Sequence, residues 1–491
     1  MAPGRMAPGR LAPGGVAYGV GVALIGAVVL AGLAEPLLTL TRFVPLDPNE
    51  GWNALFSRIA MRGGDLYPSP QTSLIINNYP PLSFYLVGLV GRWMGDNIFA
   101  GRVVALASML LVAVNLFLWL RASGTGARAA CLGAGVFAAF AVTYARSYAG
   151  INDPQWLAHA IMTTGLVVLW RGGASARAIV VGALLMLAGG WTKHLLIPLP
   201  IATTWWLMRR SRPAFFLWIG CCALLLAAST LLVWGLYGSA FFASLHSARQ
   251  YSLHHGIKLF NKALLCFAPL IALSVLLPWA APRSEPKEFA LVYFGDAAIV
   301  AFGAAGGVGV DINAFFDLMI AASLCAALAV DAVWARPLPA SLRHAQWGPA
   351  LSLLLGVYLA LYGATIAPAA LAEVRDLDAF ESRTLAATRL IARLGDGRAA
   401  CETPELCYWA NNEFRVDFFN YGQRLLVGKV PASACDTVFD GDSLSLVQLD
   451  ALDGKDSIAL PPACNAAIRR NYRTISAAPR PLGVIMAGHL R

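Results

Sequence analysis

The sequence predicts an α-helical polytopic membrane protein of about eleven transmembrane helices. Interfacial helices are expected in a long first outer loop, and a small α/β soluble domain at the C-terminus. Three observations carry this. First, 58% of the 491 residues are hydrophobic and only 13% charged, where soluble domains carry about a quarter charged residues. Second, apolar runs of roughly 20 residues, the length of a spanning helix, recur from Val16 to Pro368. They stand as single runs rather than short alternating strands, which favours helices over a β-barrel. Third, composition turns mixed after Pro368, over a stretch long enough for a small domain. The formal net charge of +10 fits basic cytoplasmic loops. The Arg residues are scattered between apolar runs, which argues against nucleic acid as a partner.

Residues 1–15 repeat Ala-Pro-Gly, a composition that predicts a disordered tail. Val16–Leu40 is too long for a signal-peptide core and reads as an uncleaved first span, with Arg5 and Arg10 keeping its start cytoplasmic. The first outer loop, residues 41–97, is far longer than a plain connection needs, and long structured loops are usually functional. Within it, Trp52, Leu55, Phe56 and Ile59 fall at helical spacing over Gly51–Met61, which predicts an interfacial helix. Pro81–Met94 is apolar but short for a span, and reads as a second interfacial or re-entrant helix starting at the prolines.

The further spans are Ile98–Leu120, Ala129–Ala145, Gln155–Trp170, Ala178–Trp191, Leu195–Met208, Ala214–Leu236, Ala263–Ala281, Phe289–Ala305, Asn313–Val330 and Trp347–Pro368. One set of turns between them carries Arg171 and Arg177, then Arg209, Arg210 and Arg212, then Arg283 and Lys287, then Arg336 and Arg343. That is the positive-inside pattern, and it places the N-terminus in the cytoplasm and the C-terminus outside. Residues 16–368 thus form the transmembrane domain and 369–491 an outer domain. The outer domain is expected to hold a helix over Glu373–Leu394 and β-like stretches at Leu425–Val427, Ser443–Leu449 and Leu482–Met486. Five cysteines (Cys131, Cys221, Cys222, Cys266, Cys325) lie in or beside spans and read as small packing residues. The other four, Cys401, Cys407, Cys435 and Cys464, form an even set in the tail, as disulfides outside the cytosol would. Local spacing favours Cys401–Cys407 and Cys435–Cys464.

The polar residues that could carry chemistry gather on the predicted outer side. Asp47 and Glu50 lie in the first loop, Asp153 in the turn Asn152-Asp153-Pro154, and Lys193-His194 in the next outer turn. The segment Tyr237–Lys262 adds Arg249, His254, His255, Lys258 and Lys262, and Asn313 closes the last turn. Carboxylates suit general-base work on an acceptor hydroxyl or amine, and Lys, Arg and His suit a leaving phosphate. Asp47, Glu50 and Asp153 are therefore the candidate catalytic acids, and Lys193, His194, Arg249, His255 and Lys258 the candidate phosphate ligands. Trp52, Asn53, Tyr67, Asn78, Tyr79 and Asn313 are candidates to line the substrate site. Each has a structural alternative: Asp47 or Asp153 as a helix cap, Glu50 as a helix-dipole partner, Lys193 snorkelling to the interface.

These stretches resemble the GT-C glycosyltransferases, polytopic enzymes that use polyprenyl- or dolichyl-phosphate sugars. The likeness is to bacterial relatives of protein mannosyltransferases and of the lipid A aminoarabinose transferase. It rests on LDPNEGWNA, on LYP followed by NNYPPLSFYLVGLVGRWMGDNIFAGRVVAL, on INDPQ, on GGWTKHLLIP and on GVDINAFFDLMIAA. It covers most of Val16–Val330 and maps a first-loop acid to Asp47 or Glu50, a second-loop acid to Asp153 and a basic residue to Lys193. Many members have an adjacent Asp-Glu pair where this chain has Asn49-Glu50, so Asp47 and Glu50 both remain candidates for the base. The resemblance implies an inverting transfer of sugar from a polyprenyl-phosphate donor to a lipid, glycan or protein acceptor, at the outer face of a bacterial inner membrane. A divalent cation stays an open option, with no ligand set identified for one. The rival reading is a transporter or lipid flippase, which needs polar residues along the middle of several spans.

Overall fold

The computed structural model of the chain describes residues 13–247, 249–335, 347–451 and 460–488. The expected tail over residues 1–15 lies almost wholly outside these residues, as do Arg5, Arg10, Arg336 and Arg343.

A helical bundle occupies most of the chain. Helix α1 (Pro13–Thr39) leads into two loop helices, α2 (Pro48–Met61) and α3 (Leu82–Met94). Helices α4 (Asn97–Ala122), α5 (Ala127–Thr143), α6 (Gln155–Arg171), α7 (Ala176–Thr192) and α8 (Pro198–Arg210) follow. Then come α9 (Arg212–Leu245), α10 (Leu253–Cys266), α11 (Ala268–Ala280), α12 (Glu285–Ala305), α13 (Phe316–Ala335) and α14 (Trp347–Arg375). Among the described residues six helices are long and apolar enough to cross a membrane, and the bent pair α10–α11 would make a seventh. The chain is a multi-pass membrane protein. Helices α5, α6 and α7 have 17 residues each and α8 has 13, so length and composition do not by themselves fix eleven crossings.

The loop helices start where the sequence supplies caps. Asp47 is the N-cap of α2 and accepts the Asn49 N–H, with Pro48 at the first helical position. Asp96 caps α4 by accepting from Ile98 and Phe99.

Three spans differ from expectation. The segment Tyr237–Lys262 is not one open loop. Helix α9 runs on to Leu245 past a break at Gly238, whose φ of 64° suits glycine. His254, His255, Lys258 and Lys262 then lie on α10, which begins ten residues before the expected span Ala263–Ala281 and overlaps only its start. A break at Phe267, with Pro269 in the first turn of α11, bends α10 from α11 by 77°. Finally, the boundary drawn at Pro368 falls inside α14, which continues to Arg375. Proline loses one helical hydrogen bond but need not end a helix whose neighbours, as in Ala-Ala-Leu-Ala-Glu here, favour it.

The C-terminal domain holds α15 (Leu377–Gly395), α16 (Pro404–Trp409), α17 (Phe418–Leu426), α18 (Ala434–Val438) and α19 (Pro462–Asn471). They surround a sheet of β1 (Ala399–Cys401), β2 (Leu446–Leu449), β3 (Tyr472–Ala477) and β4 (Val484–Gly488), in the order β1-β2-β4-β3. The pair β1–β2 is parallel and the others antiparallel. Leu425–Val427, expected as β-like, instead ends α17: Phe418, Tyr421 and Leu425 fall on one helical face against the domain core. Cys401 is bonded to Cys407, and Cys435 to Cys464. Alkylation before reduction should therefore leave these four thiols unlabelled. Cys435→Ser is expected to cost about 2–5 kcal/mol of domain stability, read by chemical denaturation.

Candidate active site

The first loop, the α5–α6 turn, the α7–α8 turn, the α12–α13 turn and the C-terminal domain meet at one end of the bundle. Their meeting is organised by a buried ion pair. Glu50 and Arg102 are both fully buried. Arg102 uses all five of its N–H donors. Nε and one Nη2–H reach the two Glu50 oxygens at 2.8 and 2.6 Å, and the other three reach the carbonyls of Thr39, Arg42 and Val44. Glu50 also accepts the backbone N–H of Asn152 at 3.0 Å and of Leu46 at 3.4 Å. This pair pins the end of α1, the 42–46 segment, α2, α4 and the α5–α6 turn together.

The resemblance leans towards Glu50 as the base, since it aligns with the family acid, but the geometry separates the two first-loop acids the other way. Glu50 spends both oxygens on structure. Asp47 is bound at one oxygen only, by the Asn49 N–H at 2.9 Å, and keeps part of its surface open. Loss of water is the largest cause pushing its carboxyl up to about 7. The Asn49 hydrogen bond opposes the rise, and the like charges of Glu50, Asp153 and Asp311 add to it.

Asp153 is buried in the next wall. Its Oδ1 accepts from Gln155 N at 2.8 Å, while Oδ2 has no hydrogen-bond partner and faces Lys193 Nζ at 3.8 Å. Lys193 is itself buried and lies 3.7 Å above the centre of the Tyr79 ring. Tyr79 packs edge-to-face on Trp52, whose Nε1 donates to Asp417 of the C-terminal domain at 3.0 Å. Arg249 stands against the Phe419 ring at 5.3 Å. It lies close enough to act on His194 and Asp417 through its charge. Burial, then the charges of Lys193, Arg249 and His246, lower the His194 pKa to about 4, so this imidazole is neutral at pH 7.

The remaining candidate residues divide between scaffold and rim. Asn53 ties α2 to the carbonyl of Asn152 at 2.8 Å, and the Tyr67 hydroxyl donates to the Tyr79 carbonyl. Asn78 is buried in the same loop. The Asn313 carbonyl accepts from Gln155 at 3.4 Å. On α10, His255 touches the Val310 carbonyl at 3.5 Å, and Lys258 is exposed with no hydrogen bond or ion pair among the described residues.

Sequence reasoning missed five contributors. Arg102 lies in the stretch FAGRVV, but nothing in the sequence marks it as the partner of Glu50. Asp311, in the GVDIN turn, is within electrostatic reach of Asp47. Tyr148 lies among Asp153, Asp47, Asp311 and Tyr79, and burial followed by those groups raises its phenol well above the usual value. Asp417 and Glu405 come from the C-terminal domain. Glu405 is fully buried with neither oxygen partnered. Burial is the main cause holding its pKa well above the carboxylate range, with Glu50 next. Among the described residues no three His, Cys, Asp or Glu side chains are arranged to hold a metal ion.

This bundle, with two loop helices after the first span and a small mixed-sheet domain at the end, has the fold of solved polytopic GT-C transferases. Among solved structures the chain is similar to ArnT from Cupriavidus metallidurans bound to undecaprenyl phosphate, with a TM-score of 0.59, 15% identity, and coverage of 95% of this chain and 97% of that one. The apo state of the same protein gives a TM-score of 0.58 at 14% identity, covering 95% and 98%. The Archaeoglobus fulgidus oligosaccharyltransferase, in complex with Zn and sulfate, gives 0.56 at 13% identity, covering 95% of this chain and 73% of that one. No family model matches the sequence, and no curated protein is similar to it at the level of sequence.

Proposed function

We propose that this protein is an inverting glycosyltransferase that moves a sugar from a polyprenyl-phosphate donor to an acceptor hydroxyl or amine. The observation that carries this is the convergence of a partly open acid, Asp47, with the Asp153–Lys193 pair and the nearby Arg249, at one end of an apolar bundle. The Asp47 carboxylate takes the proton of the acceptor. The acceptor oxygen or nitrogen forms the new bond to the anomeric carbon as the bond from that carbon to the phosphate oxygen breaks. The electron pair leaves with the polyprenyl phosphate, whose charge Lys193 and Arg249 would meet. His255 and Lys258 on α10 would extend the basic rim along the lipid phosphate. Asp153 would hold Lys193 in place through its free oxygen. The solved ArnT structure with undecaprenyl phosphate supports a lipid phosphate as the ligand class.

The same reading places the site on the outer face of a bacterial inner membrane, with the C-terminal domain outside. The two disulfides and the basic turns at the opposite end of the bundle support that orientation.

Binding of undecaprenyl phosphate to the purified protein tests the donor assignment. Lys193→Ala and Arg249→Ala are each expected to weaken binding by about tenfold or more, since a hydrogen bond to a charged group is worth about 1.5–3 kcal/mol. Unchanged binding in both variants would remove the phosphate site from this location.

A further inference from the structure

At the C-terminal end of α2, away from the acid cluster, lies a cavity of about 550 Å³. Along α2 it is 11–15 residues from Asp47, or about 16–22 Å at ~1.5 Å per residue, too far to belong to the same reacting sugar. Three guanidinium groups face it: Arg58 and Arg62 from α2 and Arg92 from α3. Tyr408 and Trp409 of the C-terminal domain form the wall opposite.

The three arginines outnumber the acids lining the cavity, of which Asp96 is the one among the described residues. Arg58 is anchored, donating to the Tyr408 carbonyl at 2.7 Å and the Asn411 side chain at 3.2 Å, with its guanidinium 4.0 Å over the Tyr408 ring. Arg62 and Arg92 are exposed and form no ion pair among the described residues. The carboxylate in the cavity, Asp96, is already committed: one oxygen caps α4 and the other accepts the Trp409 indole N–H at 3.2 Å. Three guanidinium charges against the single carboxylate of Asp96 leave the space net positive, which favours a bound anion. Planar guanidiniums fit phosphate oxygens in particular.

The other face of α3 says where that anion comes from. Tyr85, Leu89 and Trp93, spaced i, i+4, i+8, form an exposed row, and Trp93 is 87% exposed. Helix α3 lies in sequence between the membrane spans α1 and α4. An exposed aromatic and aliphatic row in that setting belongs in the headgroup region of the bilayer, where Trp and Tyr concentrate. Arg92 is the neighbour of Trp93, so the cavity opens at the depth of lipid phosphates.

We propose that Arg58, Arg62 and Arg92 hold the phosphate headgroup of an anionic membrane lipid, while Tyr85, Leu89 and Trp93 seat α3 in the bilayer beside it. Such a lipid bridges α2, α3 and the C-terminal domain. This site is separate from the acid cluster and does not rest on the transferase reading.

Titration of the full-length protein in detergent with dioctanoyl phosphatidylglycerol, dioctanoyl phosphatidylcholine and inorganic phosphate, followed by tryptophan fluorescence, tests it. The anionic lipid is expected to bind at least about tenfold more tightly than either other probe, and the double variant Arg62→Ala/Arg92→Ala to lose about tenfold or more of that affinity. Both side chains are exposed, so folding should survive their removal. Equal binding of the two lipids, inorganic phosphate binding as tightly as phosphatidylglycerol, or a double variant that binds like wild type would each overturn the proposal.

Discussion

Asp47→Asn should lower kcat/KM for sugar transfer by roughly 10²–10⁴-fold, the usual contribution of a general base, while undecaprenyl phosphate still binds. Asparagine keeps the shape and can still accept the Asn49 N–H that caps α2, so the helix should stand. The wild-type pH profile offers an independent check. The base works only when ionised, and burial with neighbouring acids holds its pKa near about 7. The rate should therefore fall about tenfold per pH unit well below 7 and level off above it, and the limb should vanish in Asp47→Asn. A variant with normal turnover would exclude Asp47 as the base.

Glu50→Gln should fail for a different reason. It leaves Arg102 charged, buried and facing a neutral amide. Removing one partner of a buried pair costs about 3–5 kcal/mol. The expected result is a lower unfolding midpoint and a smaller folded fraction on size exclusion after heating, with Arg102→Ala behaving alike. The double variant Glu50→Gln/Arg102→Met should cost less than the sum of its parts, because no charge is then left unpaired. Activity per folded molecule separates the two first-loop acids. A Glu50→Gln protein with a wild-type midpoint and no turnover would make Glu50 the base and displace Asp47.

Much of the fold could be read from the sequence, because a bilayer imposes long apolar runs that composition reports directly. The two loop helices were readable too: Trp52, Leu55, Phe56 and Ile59 mark one, and the Pro-Pro start marks the other. The nature of α10 was not: its basic and apolar residues share a helix that runs straight into an apolar run, and Pro269, which marks the break at Phe267, lies inside that run. In the site, Asp47, Asp153 and Lys193 stand out as polar residues flanking apolar runs. The division of labour between Asp47 and Glu50 does not, because it depends on Arg102, a residue 52 positions from Glu50 whose five donors reach four residues between Thr39 and Glu50. Glu405 and Asp417 were unreadable for the same reason on a larger scale: acids in a mixed domain look like ordinary surface until the domain is seen lying on α2.

The way α16 lies on α2 also bears on how the molecule is made. A side chain at Gly51 would come within 2.2 Å of the Glu405 backbone nitrogen, so the helices touch backbone to backbone. The nearby bond from Trp52 to Asp417 spans 365 residues of chain. At roughly 5–20 residues per second of synthesis, α2 waits roughly 20–70 s for the surface that covers it. During that interval the nascent first loop carries bare aromatic rings and an uncovered glycine seam at the membrane surface. Newly made copies are then most exposed to proteases and to wrong partners, and any chaperone serving this protein has its longest task there.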